Sequence, residues 1–157
     1  MDEMMLWMLF VLGIGLLLFG LLRKPEIIKD SMLAFLLKAY FSTFFGVIVV
    51  EMHMLDYPVR ILSQYFDTSI LFEYLLYPVV CVFFYQTTLR SSFLGIVGQC
   101  TLYISVLTAI EVLFEKYTSL IHYNTWKWWY SFLTMFVLSF SVRMMMVWIN
   151  KKQPLRK

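Results

Sequence analysis

The sequence predicts an all-α fold, a polytopic transmembrane helical bundle of five transmembrane helices with a short outer interfacial helix, forming a single membrane domain over residues 1–157. Three observations carry that reading. Hydrophobic residues make up 61 % of the chain and charged residues 15 %, against roughly 45–50 % and about 25 % in a soluble domain. A soluble globule of this size would bury only about 70 % of its unfolded surface, so the surplus Leu, Phe, Met and Val has to meet lipid. Crossing the hydrocarbon takes about 20 apolar residues at about 1.5 Å each, and the stretches 4–22, 31–50, 69–89, 93–114 and 128–149 all reach that length. In lipid each backbone polar group must be satisfied within a helix or a closed barrel, and alternating barrel strands are absent from this sequence.

The first stretch is preceded by Asp2 and Glu3, followed by Arg23-Lys24, and too long for a signal-peptide core, so it reads as a retained first helix. The third and fourth are joined only by Arg90-Ser91-Ser92, enough for a tight helical hairpin. Between the second and third, Ile61, Leu62, Tyr65 and Phe66 share one helical face against Arg60, Ser63, Gln64 and Asp67, which predicts the interfacial helix over 58–67, with Asp56 before it and Pro58 in its first turn. Trp126, Trp128, Trp129 and Tyr130 stand at the entrance of the fifth helix and Trp148 near its exit, as interfacial aromatic belts do.

Orientation follows from the basic residues. With the amino terminus outside, Arg23, Lys24, Lys29, Arg90, Lys151, Lys152, Arg156 and Lys157 are cytoplasmic, and only Arg60, Lys116 and Lys127 are external. This bias predicts an external amino terminus and a cytoplasmic carboxyl terminus, with Lys38 and Arg143 close enough to the inner boundary to snorkel. A net charge of +3, mostly beside membrane segments, excludes nucleic acid as a partner.

The informative residues are polar groups that tolerate lipid, where a central carboxylate costs about 2.5–3.5 kcal/mol. Glu51 closes the second helix, Glu73 lies about 6 Å into the third, and Glu111 lies about 27 Å along the fourth, so all three fall in the outer leaflet. Glu115 follows Glu111 by one turn, and Asp56, Arg60, Asp67, Lys116 and His122 lie in the loops just above. Glu51, Asp56, Arg60, Glu73, Glu111, Glu115, Lys116 and His122 thus form a candidate outer-leaflet polar cluster. Polar stripes lead towards it: Lys38, Ser42 and Gly46; Glu73, Tyr77, Cys81 and Tyr85; and Thr101, Ser105, Thr108, Glu111 and Glu115.

The cluster has two readings. In one, the acids pair with Arg60, Lys116 or His122 and fix helix packing. In the other, Glu73, Glu111 and Glu115 form a cation or proton site open to the outside. His53 and His122 show no metal-ligand spacing, Met52-His53-Met54 is ordinary in a Met-rich chain, and Cys81 and Cys100 form no CxxC, so no metal or cofactor is expected. No nucleophile motif, phosphate loop or HExxH is present, and the chain reads as non-enzymatic.

Val49-Val50-Glu51, Asp56-Tyr57-Pro58-Val59-Arg60, Phe72-Glu73-Tyr74 with Tyr77-Pro78 and Cys81, Glu111-Val112 and Glu115-Lys116-Tyr117-Thr118 resemble an uncharacterised family of small multi-pass membrane proteins of Bacillus- and Clostridium-type spore-forming Firmicutes. The likeness covers nearly the whole chain, and the pattern from Glu115 to Trp126 is its most specific part. It implies a bacterial source and residence in the plasma membrane, and it transfers no activity. The function expected is that of an accessory or interaction component that binds another membrane protein, itself or lipid. The alternative is a small ion- or proton-coupled transporter or channel, which with five helices would need an oligomer.

Overall fold

The computed structural model describes residues 1–152, so the tail cations Arg156 and Lys157 lie outside the described residues. The protein is an all-α bundle: α1 (Asp2–Arg23), α2 (Ile28–Glu51), α3 (Leu71–Thr87), α4 (Phe93–Tyr117) and α5 (Trp128–Lys152). Lys24 and the 3-10 turn Pro25–Ile27 separate α1 from α2, because the residue before a proline is pushed out of the helical region. Acidic Asp2 and Glu3 open α1 and Arg23 closes it, complementing the helix dipole. Ser92 caps α4 by accepting the Gly95 backbone N–H at 3.3 Å.

The chain is apolar outside, and its largely apolar interior also holds charged and amide groups that a soluble protein keeps at its surface. Trp7, Phe19, Phe44, Leu94, Leu102 and Leu133 are exposed, while Lys38, Glu73, Gln86, Glu111 and Arg143 are buried. Such an apolar surface suits lipid, and the chain is a membrane protein on that ground. α1, α2, α4 and α5 are each long and apolar enough to cross a membrane. The expected third span is shorter than 69–89, with 17 helical residues.

Pro78 explains the form of α3. It has no N–H to donate to the Tyr74 carbonyl, and its ring crowds the preceding turn. The helix therefore opens with a π-helical stretch, Leu71–Leu76, in which Tyr77 N–H reaches back to the Phe72 carbonyl. At its other end Thr88 leaves the helix, and Arg143 of α5 donates to the Thr88 hydroxyl (2.8 Å) and carbonyl (2.9 Å). A guanidinium at a helix C-terminus satisfies orphan carbonyls and the dipole together.

Contacts between distant residues define the bundle's two ends. At one end Asp2 accepts the Ser119 backbone N–H, and the 52–70 and 118–127 connections meet. At the other, Lys24 donates to the Gln86 carbonyl, Gln86 donates to Gly20 and Ser31, and Asn150 donates to Asp30. The first is called the lid end and the second the basic end, since Arg23, Lys24, Lys29, Arg90 and Lys151 gather there. α1 seats against α3 at Gly13, where a Cβ would come within 2.7 Å of Leu75.

The lid contains a feature not expected from the sequence, a two-stranded antiparallel sheet of β1 (Leu55–Asp56) and β2 (His122–Tyr123), with Leu55 opposite Tyr123 and Asp56 opposite His122. It is locked beside the strands, where the Met54 carbonyl accepts the backbone N–H groups of Asn124, Thr125 and Trp126 and Asn124 donates to Asp56 at 2.6 Å.

Three sequence expectations need correction. The interfacial helix over 58–67 is absent, and the segment is a run of turns. Leu62 adopts a left-handed φ of 59°, which interrupts a helical ladder, and the Arg60 guanidinium organises the loop by donating to the Phe66 and Tyr57 carbonyls and pairing with Asp67 at 2.9 Å. Lys38 and Arg143 do not snorkel: Lys38 is 1 % exposed, and Arg143 turns inward to Thr88. The buried face of α4 runs through Ile96, Cys100, Ile104, Thr108 and Glu111, while Thr101 and Ser105 are exposed. Thr101 lies about 100° round the helix from Cys100, so the polar stripe meets the buried face only near the lid end.

Candidate functional site

Beneath the lid, α2, α3, α4 and α5 line a partly open cavity of ≈ 90 Å³ whose lining includes Ser42, Gly46, Glu73, Tyr77, Glu111 and Ser131, with Leu55, Tyr57 and Trp126 from the lid. Both buried carboxyl groups of the bundle face it.

Glu111 is held from three elements. Tyr77 of α3 donates to Oε2 at 3.2 Å, and Tyr123 of β2 and Ser131 of α5 each donate to Oε1 at 2.6 Å. The direction of the Ser131 bond is fixed by a fourth residue. Trp126 Nε1 sits 2.7 Å from the Ser131 hydroxyl, and an indole N–H can only donate, so the single Ser131 hydrogen is left for Glu111.

Glu73 is held differently. It leaves the π-helical turn of α3 and points at α2, where Ser42 donates to Oε2 and the lid residue Tyr57 donates to Oε1 at 3.1 Å. The approach requires glycine at position 46, since a Cβ there would lie 2.8 Å from the Glu73 carboxyl carbon and 2.9 Å from Oε1. Each carboxyl group therefore has one tyrosine partner from the lid, with Tyr57 on Glu73 and Tyr123 on Glu111.

Both lid phenols are held in the donating, protonated form. Burial, then the negative potential of Glu73, pushes the Tyr57 pKa well above the usual phenol value. Burial and the Glu111 carboxyl do the same for Tyr123.

Above the cavity lies a second, more open pocket of ≈ 270 Å³ lined by Glu51, His53, Asp56, Arg60 and Asp67, together with Tyr57. Tyr57 is 2 % exposed and lines both spaces, so it forms the partition between them. The upper pocket carries three carboxylates against one guanidinium.

The structure thus divides the residues expected as one cluster. Glu73 and Glu111 share the cavity, while Glu51, Asp56 and Arg60 line the upper pocket. Glu115 is half-buried one turn beyond Glu111, Lys116 lies over the Tyr117 ring, and His122 is exposed on β2. The expected pairing of the buried acids with Arg60, Lys116 or His122 does not occur. Arg60 is engaged within its own loop, and Lys116, five residues after Glu111, points about 140° away round the helix. Among the described residues neither Glu73 nor Glu111 forms an ion pair, and their partners are hydroxyl groups. No group of three or more His, Cys, Asp or Glu able to hold a metal ion occurs among the described residues.

Sequence reasoning did not identify Tyr57, Tyr123 and Ser131 as partners of the acids. Tyr57 and Tyr123 carry no periodic signal, because they sit in loops whose pairing is long-range. Ser131 did carry one, since Ser131, Met135, Ser139 and Arg143 repeat every four residues along α5 and are all buried. Compared with known protein families, curated proteins and solved structures, the chain finds no match.

Proposed function

We propose that this membrane protein takes up a proton or small cation at the Glu73–Glu111 cavity from the side that the lid faces. The observation that carries the reading is that two buried carboxyl groups share one cavity with hydroxyl partners and, among the described residues, no ion pair. A structural pair of acids would be expected to hold cationic partners, because a buried carboxylate without one is expensive. Hydroxyl donors instead hold the oxygens in place and leave them able to bind an incoming cation or proton. The upper pocket, with its excess of carboxylates, would concentrate cations before the Tyr57 partition.

In this reading α3 is a fifth crossing, α1 begins outside, and the lid faces the exterior of a bacterial plasma membrane. The gathering of basic residues at the opposite end supports that orientation. The protein is non-enzymatic and works as an oligomer in the bilayer. An accessory role, binding another membrane protein, itself or lipid, is the reading favoured by composition alone. The cavity favours ion handling over it, since the cationic partner that a purely structural Glu111 requires is not found among the described residues.

Ion flux into proteoliposomes tests the function. Wild type is expected to carry protons or alkali cations, and the Glu73→Gln, Glu111→Gln pair is expected to abolish that flux while remaining folded. Equal flux in both would overturn the reading. A reporter fused after Asp67 should be active only outside, and one fused after Lys157 only in the cytoplasm; the reverse pattern would place the cavity on the inner side.

A further inference from the structure

At mid-bundle Lys38 places a buried amine, whose Nζ has no hydrogen-bond partner among the described residues. It lies one turn from Ser42 on the same face of α2, away from the lid, and Ser42 holds Glu73. The titratable groups acting on it are Cys81 and Glu73 of α3 and Cys100 of α4. Among the described residues no carboxylate lies at ion-pair distance from it. An amine kept there for stability alone is hard to justify, because a methionine or leucine would fill the space at lower cost.

Further towards the basic end the same helix faces carry another polar group. Tyr85 of α3 donates to Asp30 of α2 at 3.3 Å, and Asn150 of α5 donates to both Asp30 (3.4 Å) and the Tyr85 hydroxyl (3.3 Å). Tyr57, Glu73, Ser42, Lys38, Tyr85 and Asp30 therefore form a polar line along the α2–α3 contact, from the upper pocket to the basic end.

We propose that Lys38 is the proton acceptor next in line after Glu73, and that the species handled at the cavity is the proton rather than a metal cation. The inference rests on the reading of Glu73 and Glu111 as an ion site. A metal ion moving past Glu73 would be repelled whenever the Lys38 amine had taken up a proton. A proton meets a group that can accept and release it. A proton arriving from the lid end forms an O–H bond on the Glu73 carboxylate. That bond breaks as an N–H bond forms on the neutral Lys38 amine, relayed by the Ser42 hydroxyl or one water molecule. The ammonium then releases a proton through water to the Asp30 carboxylate, which restores the neutral amine. No electron changes hands, and each step moves one proton between a named donor and acceptor.

The test uses the full chain in vesicles with a trapped pH-sensitive dye and an imposed potential, and with sodium or potassium as the alternative ion. Wild type should acidify the lumen and move neither metal ion. Lys38→Met, which deletes an unpaired buried amine, should fold at least as stably as wild type in detergent and lose proton flux to the level of protein-free vesicles. Lys38→Arg should also lose it, because a guanidinium does not release its proton, whereas Lys38→His should retain part of the flux with its pH dependence displaced to lower pH. Wild-type proton flux in Lys38→Met or Lys38→Arg would overturn the proposal. If Glu73→Gln is silent while Lys38→Met is active, the carboxyl site stands and the lysine relay fails. Flux of sodium or potassium without protons has the same meaning. Absence of any ion flux in wild type removes both.

Discussion

Replacing Gly46 by alanine should destabilise the protein only while Glu73 is present. The added Cβ would stand 2.8 Å from the Glu73 carboxyl carbon and 3.0 Å from its Cγ, against the ~3.5–4.0 Å of an ordinary carbon contact. The carboxyl group must therefore move by roughly 0.5–1 Å, and it is tied to Ser42 and Tyr57. Weakening two buried hydrogen bonds worth about 0.5–1.5 kcal/mol each costs about 1–3 kcal/mol. Alanine in a helix interior recovers about 1 kcal/mol relative to glycine, so Gly46→Ala alone should cost about 0–2 kcal/mol. In a Glu73→Ala background the obstruction is gone, and the same change should stabilise by about 1 kcal/mol. The coupling energy of the cycle is then about 1–3 kcal/mol. Unfolding of the four purified proteins in mixed detergent micelles measures it. A Gly46→Ala effect of the same sign and size in both backgrounds would refute the claim that glycine is there to admit the carboxyl group.

Three further outcomes follow from the same geometry. Ser131→Ala should cost about 1–3 kcal/mol in the same assay, because it strands the Trp126 N–H and removes one short bond to Glu111; Trp126 fluorescence should report the change in its surroundings. Arg143→Met should loosen the end of α3 at Thr88, costing about 1–3 kcal/mol and speeding amide exchange at the last turn of that helix, while changes elsewhere in α3 stay small. Tyr57 and Tyr123 have folded pKa values raised above the unfolded value, so their contribution is complete below about pH 10 and is lost as pH rises beyond it. Alkaline unfolding should therefore move to lower pH relative to each protein's neutral-pH stability when these phenols are present than in a Tyr57→Phe, Tyr123→Phe protein, read by tyrosinate absorbance and circular dichroism together.

Periodicity and length made the helices legible, because a lipid-facing helix must be apolar over its whole span whatever it packs against. The helices extend beyond the apolar stretches at several ends, as in α4, which continues to Tyr117, since polar residues outside the hydrocarbon are still free to be helical. Glu73 and Glu111 could be placed at one level by counting residues, and they do line one cavity. What counting could not give was the identity of their partners. Nearby charges in the sequence pointed to Arg60, Lys116 and His122, yet charge proximity along a chain does not set side-chain direction. Arg60 found four acceptors within its own loop, and Tyr57 and Tyr123 reached the acids through a two-residue sheet formed by segments far apart in sequence. The amphipathic pattern of 58–67 was misleading for a related reason, because a single guanidinium can order a short loop as well as a helical ladder can.

The β1–β2 pair also bears on how the protein is made. β1 belongs to the connection before α3, and β2 to the connection before α5. A nascent chain emerging from the ribosome therefore displays Glu73 and the first half of the latch well before Tyr123 and Ser131 exist to finish the site. Until residues 123–131 have been made, the Met54 carbonyl lacks its three backbone donors, and Glu111 lacks two of its three hydroxyl partners. Closure of the pocket thus waits for the connection that carries β2 and for the start of α5, and a chain terminated before them would present open carboxyl groups to the machinery that inspects membrane proteins.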